Sequence, residues 1–479
     1  MTDKEIVDYL RKKEEKYPVN EWVIQGRHIW PLIKMIMCAA LSSEDTDGQL
    51  VARSQLNKIL KKFGNYKDVL SGINIGNETA DVMIFHHNNA RHLSLDDSSE
   101  FDTNLDPFTL MLEDKYNICS LEYMAGSNHG RFFRSSTVVD GAIQRAILHS
   151  KFIRSVDEKM VSLNGYEQFL GECEIGLKEK LSVINIYRTI TFMNNIASFF
   201  AKIIRKKNIK LVIAGCGYGT DTAALFMACK DVGVKCMEVQ HGLAAGNGHR
   251  WYSSWTKMPN DETRYEMLPD IYWCWSHEDE AVLNSWATGR HIVYVGGKPV
   301  YSVMNELEVL TKGNSFRPEK KLPNILFTLQ PEVNYPEWLV EVIKDTCNDY
   351  NWIIRKHPRF DSCQAKLLDR ISNMANVYID GISSIMLEKL LMCADVHVTN
   401  HSAVVMDAME FGVKSIILTT EHTDAFIGQI EEGQVCVGNN KLDFGEIIKK
   451  ITKSDNKESK YKNSLYGNRK FLSEQLLVN

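Results

Sequence analysis

The sequence predicts an α/β protein made of two Rossmann-like, doubly wound units in tandem. Helical insertions interrupt the first unit, and a helical tail follows the second. Three observations lead there. The 479 residues exceed one ordinary core, since domains run at roughly 100–200 residues. Short continuous apolar runs alternate with amphipathic stretches, the pattern of parallel strands covered by helices on both faces. A turn-rich linker, "GNSFRPEKKLPN" at 313–324, breaks the alternation, which then restarts.

In chain order, "ADVMIFHH" reads as a strand, "DPFTLMLEDKY" as an amphipathic helix and "NICSLEY" as a strand. A helical stretch follows over 137–205, including "RTITFMNNIASFFAKIIRKK". Then come the strand "KLVIAGCG", the helix "DTAALFMACKDVG" and the strand "VKCMEVQ", with "DIYWCW" and "HIVYVGG" closing the first unit. The second runs "NILFTLQ", "PEWLVEVIKDTCNDY", "WIIRKH", a helix near 362–374, "VYI", "SIMLEKLLMC", "DVHVT", "AVVMDAMEFG" and "KSIIL". The expected boundaries are 1–310, 311–455 and a helical tail at 456–479. The two units are expected to face one another across a cleft.

Composition narrows the function classes. At 44% hydrophobic and 24% charged residues the chain is globular, and a net charge of −5 argues against a nucleic-acid partner. The basic runs "RKKEEK" near the start and "IIRKKNIK" at 203–210 read as solvated faces, the second able to hold weakly to an anionic membrane surface. The first residues contain no apolar secretion-signal core, and "IWPLIKMIMCAAL" at 29–41 is too short and too polar to span a bilayer. Eleven cysteines without a CxxC pair point to a reducing interior. A cytoplasmic location is expected, with peripheral association at the inner membrane face left open.

Ligands of parallel sheets sit beyond the carboxyl ends of the strands, so the residues just after each strand carry the information. In the second unit these are Gln330, then Arg355, Lys356 and His357 in "RKHPR", then Thr399, Asn400, His401 and Ser402 in "TNHSAVVMDAMEFG". Hydroxyl, amide and cationic groups beside a helix start suit a phosphate. Each residue also has a plainer reading. Asn400 or Ser402 would serve as a helix cap, Arg355 and Lys356 as solvated charges, and His357 as a turn residue before proline.

"IIRKHP", followed about 45 residues later by "VTNHSAVVMDAMEFGVKSI", resembles the His-Pro and serine motifs of bacterial cell-surface glycosyltransferases of the GT-B type. That group includes polysialyltransferase-like and Kdo-transferase-like enzymes, and CDP-glycerol glycerophosphotransferases are similar. "EVQHG", "WVIQGRHIWPLIK" and "DPFTLMLEDKYNICSLEY" also resemble segments of capsule and lipopolysaccharide transferases. The resemblance implies a GT-B-like fold and a nucleotide-sugar donor whose phosphate is held by His357 and Ser402, with CMP-linked acidic sugars favoured. It also implies a glycan or lipid-linked glycan acceptor. His401 stands where many relatives carry a hydroxyl residue. The acidic pair before glycine that polysialyltransferases carry in the first domain occurs here only as Glu431-Glu432-Gly433, in the second unit.

With the donor on the second unit, the acceptor and its base fall to the first. Strand-end candidates are His86, His87, Arg91 and His92; Tyr218 and Asp221 in "GCGYGTD"; and Glu238, Gln240, His241 and His249 in "KCMEVQHGLAAGNGH". His241, Glu238, Asp221 and His249 are the candidate catalytic groups; Gln240, Tyr218, His87 and Arg91 are the candidate acceptor contacts. The glycines of "GCGYGTD" miss GxGxxG spacing and read as a tight turn or a close approach of backbone to acceptor. No Asp-x-Asp stands at the end of a predicted strand, and no spaced His/Cys cluster occurs, so neither a metal nor an organic cofactor is expected. The competing readings are a CDP-glycerol-type glycerophosphotransferase, a nucleotide-sugar epimerase and a non-catalytic scaffold of a polysaccharide assembly complex.

Overall fold

A computed structural model of the chain describes residues 1, 3–41, 75–87, 91–95, 98–124, 131–241, 250–256, 265–287, 289–310, 316, 318, 321–357, 359–379, 381–382, 385–419, 423–453 and 465–477. The chain forms two compact units. Unit 1 comprises Met1–Arg91, Asp102–Val303 and Ser464–Asn479; unit 2 comprises His92–Phe101 and Met304–Asn463.

Unit 1 is built on seven strands: β1 (Val82–His87), β2 (Ile118–Tyr123), β3 (Ser136–Val138), β4 (Leu211–Gly215), β5 (Lys235–Val239), β6 (Ile271–Cys274) and β7 (Ile292–Val295). They lie in the order β7-β6-β5-β4-β1-β2-β3, and every neighbouring pair is parallel. Residues Val82–Phe85, Leu211–Ala214 and Ile271–Cys274 are fully or almost fully buried, because helices cover both faces of a parallel sheet. The largest cover is the helix Val183–Lys207. Its stripe Ile186, Ile190, Met193, Ala197, Phe200 and Ile204 recurs at three and four residues and is buried throughout. Asn208, in a left-handed conformation at φ 56°, ends that helix.

Unit 2 repeats the plan with β8 (Asn324–Thr328), β9 (Asn351–Arg355), β10 (Val377–Tyr378), β11 (Val396–Thr399), β12 (Lys414–Ile417) and β13 (Val435–Val437). The order is β10-β9-β8-β11-β12-β13, again parallel throughout. Counted within each unit, both sheets run 3-2-1-4-5-6, the Rossmann order, with a seventh strand beyond the sixth in unit 1. In that order the direction of winding reverses between strands 1 and 4, and ligands bind outside the carboxyl ends at that point. The switch points are therefore β1/β4 in unit 1 and β8/β11 in unit 2.

Several expectations change. "RKKEEK" ends the helix Asp3–Lys16 and is exposed at Arg11, Lys12, Glu15 and Lys16, but Lys13 within it is buried and pairs with Glu172 at 2.7 Å. Arg11 and Glu14 hold backbone groups of Ser253 and Thr256. In "IIRKKNIK", Lys207 is likewise buried, its Nζ donating to Glu78 O at 3.1 Å. "IWPLIKMIMCAAL" lies almost entirely within the buried helix Trp30–Leu41, and "VIQGRH" is a tight antiparallel turn with Gln25 and Gly26 at φ 53° and 75°. The tail helix Leu465–Leu477 is less polar in use than in composition. Asn468 is buried, donating to Gly296 O and Ser302 Oγ and accepting from Tyr294 Oη, while Phe471 stacks on Tyr294 at 3.6 Å. Among the described residues, no helix is long and apolar enough to cross a membrane.

Candidate functional site

In unit 2 three strand ends meet at the same height. Thr328 is the register partner of Arg355, and Phe327 that of Val398, so Gln330, His357 and His401 each stand two residues beyond a common rung. Gln330 Oε1 accepts the His401 N–H at 2.7 Å and lies 3.5 Å from Thr399 Oγ1, tying the ends of β8 and β11 across the switch point. Asn400 Nδ2 sits 2.9 Å from His401 Nδ1. Ser402 Oγ accepts the Val404 N–H at 3.3 Å, and the helix runs only from Val404 to Glu410. The expected helix start at Ser402 therefore falls two residues later.

Arg355 and His357 part company. The Arg355 guanidinium turns into its own fold, donating to the carbonyls of Ile382 and Ile385, and burial lowers its pKa against the pull of Glu388. His357 instead sits in a turn held at both ends by the buried Gln364. The amide oxygen of Gln364 accepts the His357 N–H at 3.0 Å, and its Nε2 donates to Arg359 O at 2.9 Å. Asp361 joins this turn to the one after β8 by accepting the Glu332 N–H. Lys356 Nζ lies 5.5 Å from the Phe360 ring.

In unit 1 the switch point is occupied by His87, Asp221 and Thr222. His87 Nε2 lies 3.1 Å from Thr222 Oγ1 and 3.4 Å from Asp221 Oδ2. Thr222 gives its own proton to Gly215 O, so its oxygen accepts from His87, Nε2 carries the ring proton and Nδ1 carries the lone pair. The side chain is 26% exposed, which leaves the ring reachable. His86 points the other way and is fully buried between Asp102 at 3.1 Å and Asp106 at 3.7 Å. Burial alone would lower its pKa, but Asp102 first, then Asp106 and Glu122, carry it above its ordinary value. Arg91 opens the strand Arg91–Ser94, and the side chains of Arg91 and His92 lie outside the described residues.

Glu238 is placed beneath the rim. It is fully buried, and Oε1 accepts the Gly217 N–H at 2.9 Å and the Tyr252 hydroxyl at 2.7 Å. Oε2 has no hydrogen-bond partner among the described residues. Burial pushes this carboxyl up to about 7 against the two hydrogen bonds. Gly217 is required here, since a Cβ would collide with that carboxylate. The glycine of "GCGYGTD" thus makes room for Glu238. Gln240, almost buried, accepts the Trp275 N–H at 3.0 Å, whereas His241 is exposed and gives its N–H to Tyr252 Oη at 3.4 Å. Burial lifts the Cys216 thiol to about 12 and the Tyr218 hydroxyl well above its ordinary range, so both are neutral near pH 7. His249 lies outside the described residues.

The sequence reading missed Tyr252, Gln364 and Lys34. Tyr252 belongs to the segment 250–256, which the N-terminal helices grip. Arg11 Nη2 donates to Ser253 O at 2.7 Å, Lys34 Nζ to Ser254 O at 2.7 Å, and Arg250 pairs with Asp3 at 2.7 Å. Lys34 is fully buried, 3.2 Å from Glu14 and 3.8 Å from the centre of the Trp255 ring, and burial lowers its pKa to about 8. A lysine in the middle of an apolar helix was the available signal.

No family model matches the chain, and no curated protein does. Among solved structures it is similar to a UDP-GlcNAc 2-epimerase from Neisseria meningitidis bound to UDP-GlcNAc, at 16% identity and TM-score 0.50, over 83% of this chain and 100% of that one. A UDP-GlcNAc 2-epimerase from Methanocaldococcus jannaschii gives 12% identity and TM-score 0.48 over 82% and 99%. A wall teichoic acid polymerase gives 11% identity and TM-score 0.47 over 89% and 97%. The last two are too distant to bear on the fold; the first is close enough for the fold and for nothing finer. Two parallel sheets in Rossmann order, together with that likeness, give this chain the GT-B fold.

Proposed function

We propose that the protein moves a sugar from a nucleotide-activated donor to a glycan or lipid-linked glycan acceptor, with donor phosphate bound on unit 2 and acceptor activation on unit 1. The observation that carries this reading is the convergence of Gln330, His357, Thr399 and His401 on one rim at the unit 2 switch point. These are the strand ends at which a nucleotide phosphate binds in a sheet of this order. The His-Pro and serine motifs favour a CMP-linked acidic sugar and a place in surface-polysaccharide assembly at the inner membrane face. The UDP-GlcNAc held by the Neisseria epimerase puts UDP sugars among the compounds to test.

Transfer needs a base for the acceptor hydroxyl and donors for the departing phosphate. His87 fills the first role. Its Nδ1 takes the proton while Asp221 and Thr222 fix the ring through Nε2 and balance the imidazolium that forms. His241, exposed two strands away, and Tyr218 contact the acceptor. Glu238 supports the rim from below.

Thermal shift and calorimetric titration with CMP-, CDP-, UDP- and GDP-linked compounds test the reading. Stabilisation by at least one of them supports it; stabilisation by NAD alone overturns it. Once a donor is found, the mass of the product separates sugar transfer from glycerophosphate transfer and from epimerisation. His87→Ala then keeps donor affinity and lowers turnover by about 10²–10⁴-fold, the usual worth of a general base.

A further inference from the structure

A carboxyl group buried where an apolar side chain would pack better needs a reason. Glu238 is fully buried on β5, and its Oε2 has no hydrogen-bond partner among the described residues. Its Oε1 serves two other segments, taking the Gly217 N–H at 2.9 Å and the Tyr252 hydroxyl at 2.7 Å. The first of these bonds reaches a loop that does not hold its shape unaided. Residues 215–219 carry the chain from the end of β4 into the helix Thr220–Val232, and Cys216 sits there at φ 54°. That left-handed conformation is costly for a residue with a side chain, so it persists only where its surroundings enforce it. Inside the loop the Gly219 N–H reaches Cys216 O at 3.0 Å; from outside, Glu238 takes the Gly217 N–H. Both glycines stand bare where a carboxylate comes in. A Cβ at Gly217 would collide with Glu238, and one at Gly219 would lie 2.9 Å from Asp221 Oδ1.

The loop in turn places the groups around His87. Gly219 O accepts the Ala223 N–H at 2.9 Å, which starts the helix and puts Asp221 and Thr222 in its first turn. Gly215 O accepts the Thr222 hydroxyl at 3.3 Å, which turns the oxygen lone pairs toward His87 Nε2. A loop that shifts therefore moves Asp221, turns the Thr222 hydroxyl and releases the ring proton of His87. The second bond of Glu238 is a separate branch. Tyr252 Oη also accepts the His241 N–H at 3.4 Å, and that branch ends at the chain after β5.

We infer that Glu238 is a positioning residue for His87. By holding Gly217 it fixes the loop 215–219, and through that loop it keeps the His87 ring proton on Nε2 and the lone pair on Nδ1, where an acceptor hydroxyl would meet it. This rests on the role proposed above for His87.

The test is NMR of the full chain labelled with ¹⁵N-histidine, read at about pH 8.5, where an ordinary imidazole is neutral. The His87 signals are those lost in His87→Gln. In wild type they should show one tautomer, with an Nε2–H proton held against exchange with water. Glu238→Leu, which has no acceptor, should lose that proton signal and move the ring nitrogen shifts toward those of a free imidazole. Glu238→Gln keeps an acceptor oxygen and should give the wild-type signals back. Tyr252→Phe leaves the Gly217 bond in place and should also match wild type. Gly217→Ala displaces the loop while Glu238 stays, and should repeat the loss seen in Glu238→Leu. It decides the matter alone if Glu238→Leu loses its cooperative melting transition. Wild-type His87 signals in either folded variant, Glu238→Leu or Gly217→Ala, overturn the inference while His87 stands as the base. An equal loss in Tyr252→Phe overturns it too, because the effect then belongs to the packing around Glu238 and not to the Gly217 bond. If wild-type His87 shows mixed tautomers and no held proton, the base assignment itself falls and the inference with it.

Discussion

Replacing Glu238 by glutamine tests whether the rim of unit 1 rests on a neutral carboxyl group. Glutamine keeps an oxygen for the Gly217 N–H and the Tyr252 hydroxyl and puts an amide nitrogen in place of the unpartnered Oε2. The folded carboxyl titrates at about 7 and the unfolded one at 4.5, with burial as the main cause. The folded state therefore favours the protonated form. Its stabilising effect is complete below pH 4.5 and is lost as pH rises to about 7, because over that window the unfolded chain releases a proton that the folded chain retains. A gap of about two and a half pH units, at about 1.4 kcal/mol each, comes to about 3 kcal/mol. Glu238→Gln removes this dependence, so the variant should gain about 3 kcal/mol on wild type between pH 4.5 and pH 8. Urea unfolding followed by tryptophan fluorescence reads it, because seven of the nine tryptophans lie in unit 1. A stability difference between the two proteins that is the same at both pH values would refute a neutral Glu238.

Two further predictions concern the same two units. Gly217→Ala should destabilise unit 1 by about 1–3 kcal/mol, because the new methyl group overlaps the Glu238 carboxylate, and in a Glu238→Ala background most of that penalty should vanish in a double-mutant cycle. In unit 2, His397 is fully buried between Thr328 Oγ1 and Ser415 Oγ, each at 2.9 Å, and burial lowers its pKa to about 3. Its stabilising effect is complete above the unfolded value of 6.5 and is lost as pH falls toward 3. Hydrogen exchange of unit 2 peptides should show about 2 kcal/mol lost between pH 6.5 and 5 in wild type, and none of that loss in His397→Gln.

What could be read from the sequence was local. Apolar runs such as "VMIF" and "LVIA" mark buried parallel strands whatever their neighbours, and the residues after them fall at the strand ends by construction. Position after an apolar run does not say which polar side chains look inward, and Glu238 and Gln240, at the end of β5, both proved buried. In the mostly exposed run "RKKEEK" nothing local singles out the buried Lys13 or the tethered Arg11, because their partners are remote: Glu172 lies 159 residues from Lys13, and Ser253 lies 242 from Arg11. Arg355 was grouped with His357 on spacing alone. The carbonyls that claim its guanidinium belong to a loop about 30 residues on, which no pattern in "RKHPR" announces.

The polarity of the two rims bears on which unit does what. At unit 1 the titratable groups are proton takers: His87 with Asp221 at the rim, and the Asp102 and Asp106 carboxylates around His86 just inside it. A diphosphate placed there would meet buried negative charge, at a cost that grows as the site is desolvated. At unit 2 the acceptor atoms are already engaged: Gln330 Oε1 takes the His401 N–H and His357 Nδ1 the Arg359 N–H, in a segment that also carries the cations Lys356 and Arg359. An amide cannot take a proton from an acceptor hydroxyl near neutral pH, and His357 Nδ1 already serves the Arg359 N–H, so a base drawn from this rim would have to break the turn that holds it. Exchanging the roles would thus put phosphate against carboxylates and ask donors to act as bases. The division of labour proposed here follows from which atoms the fold has already used.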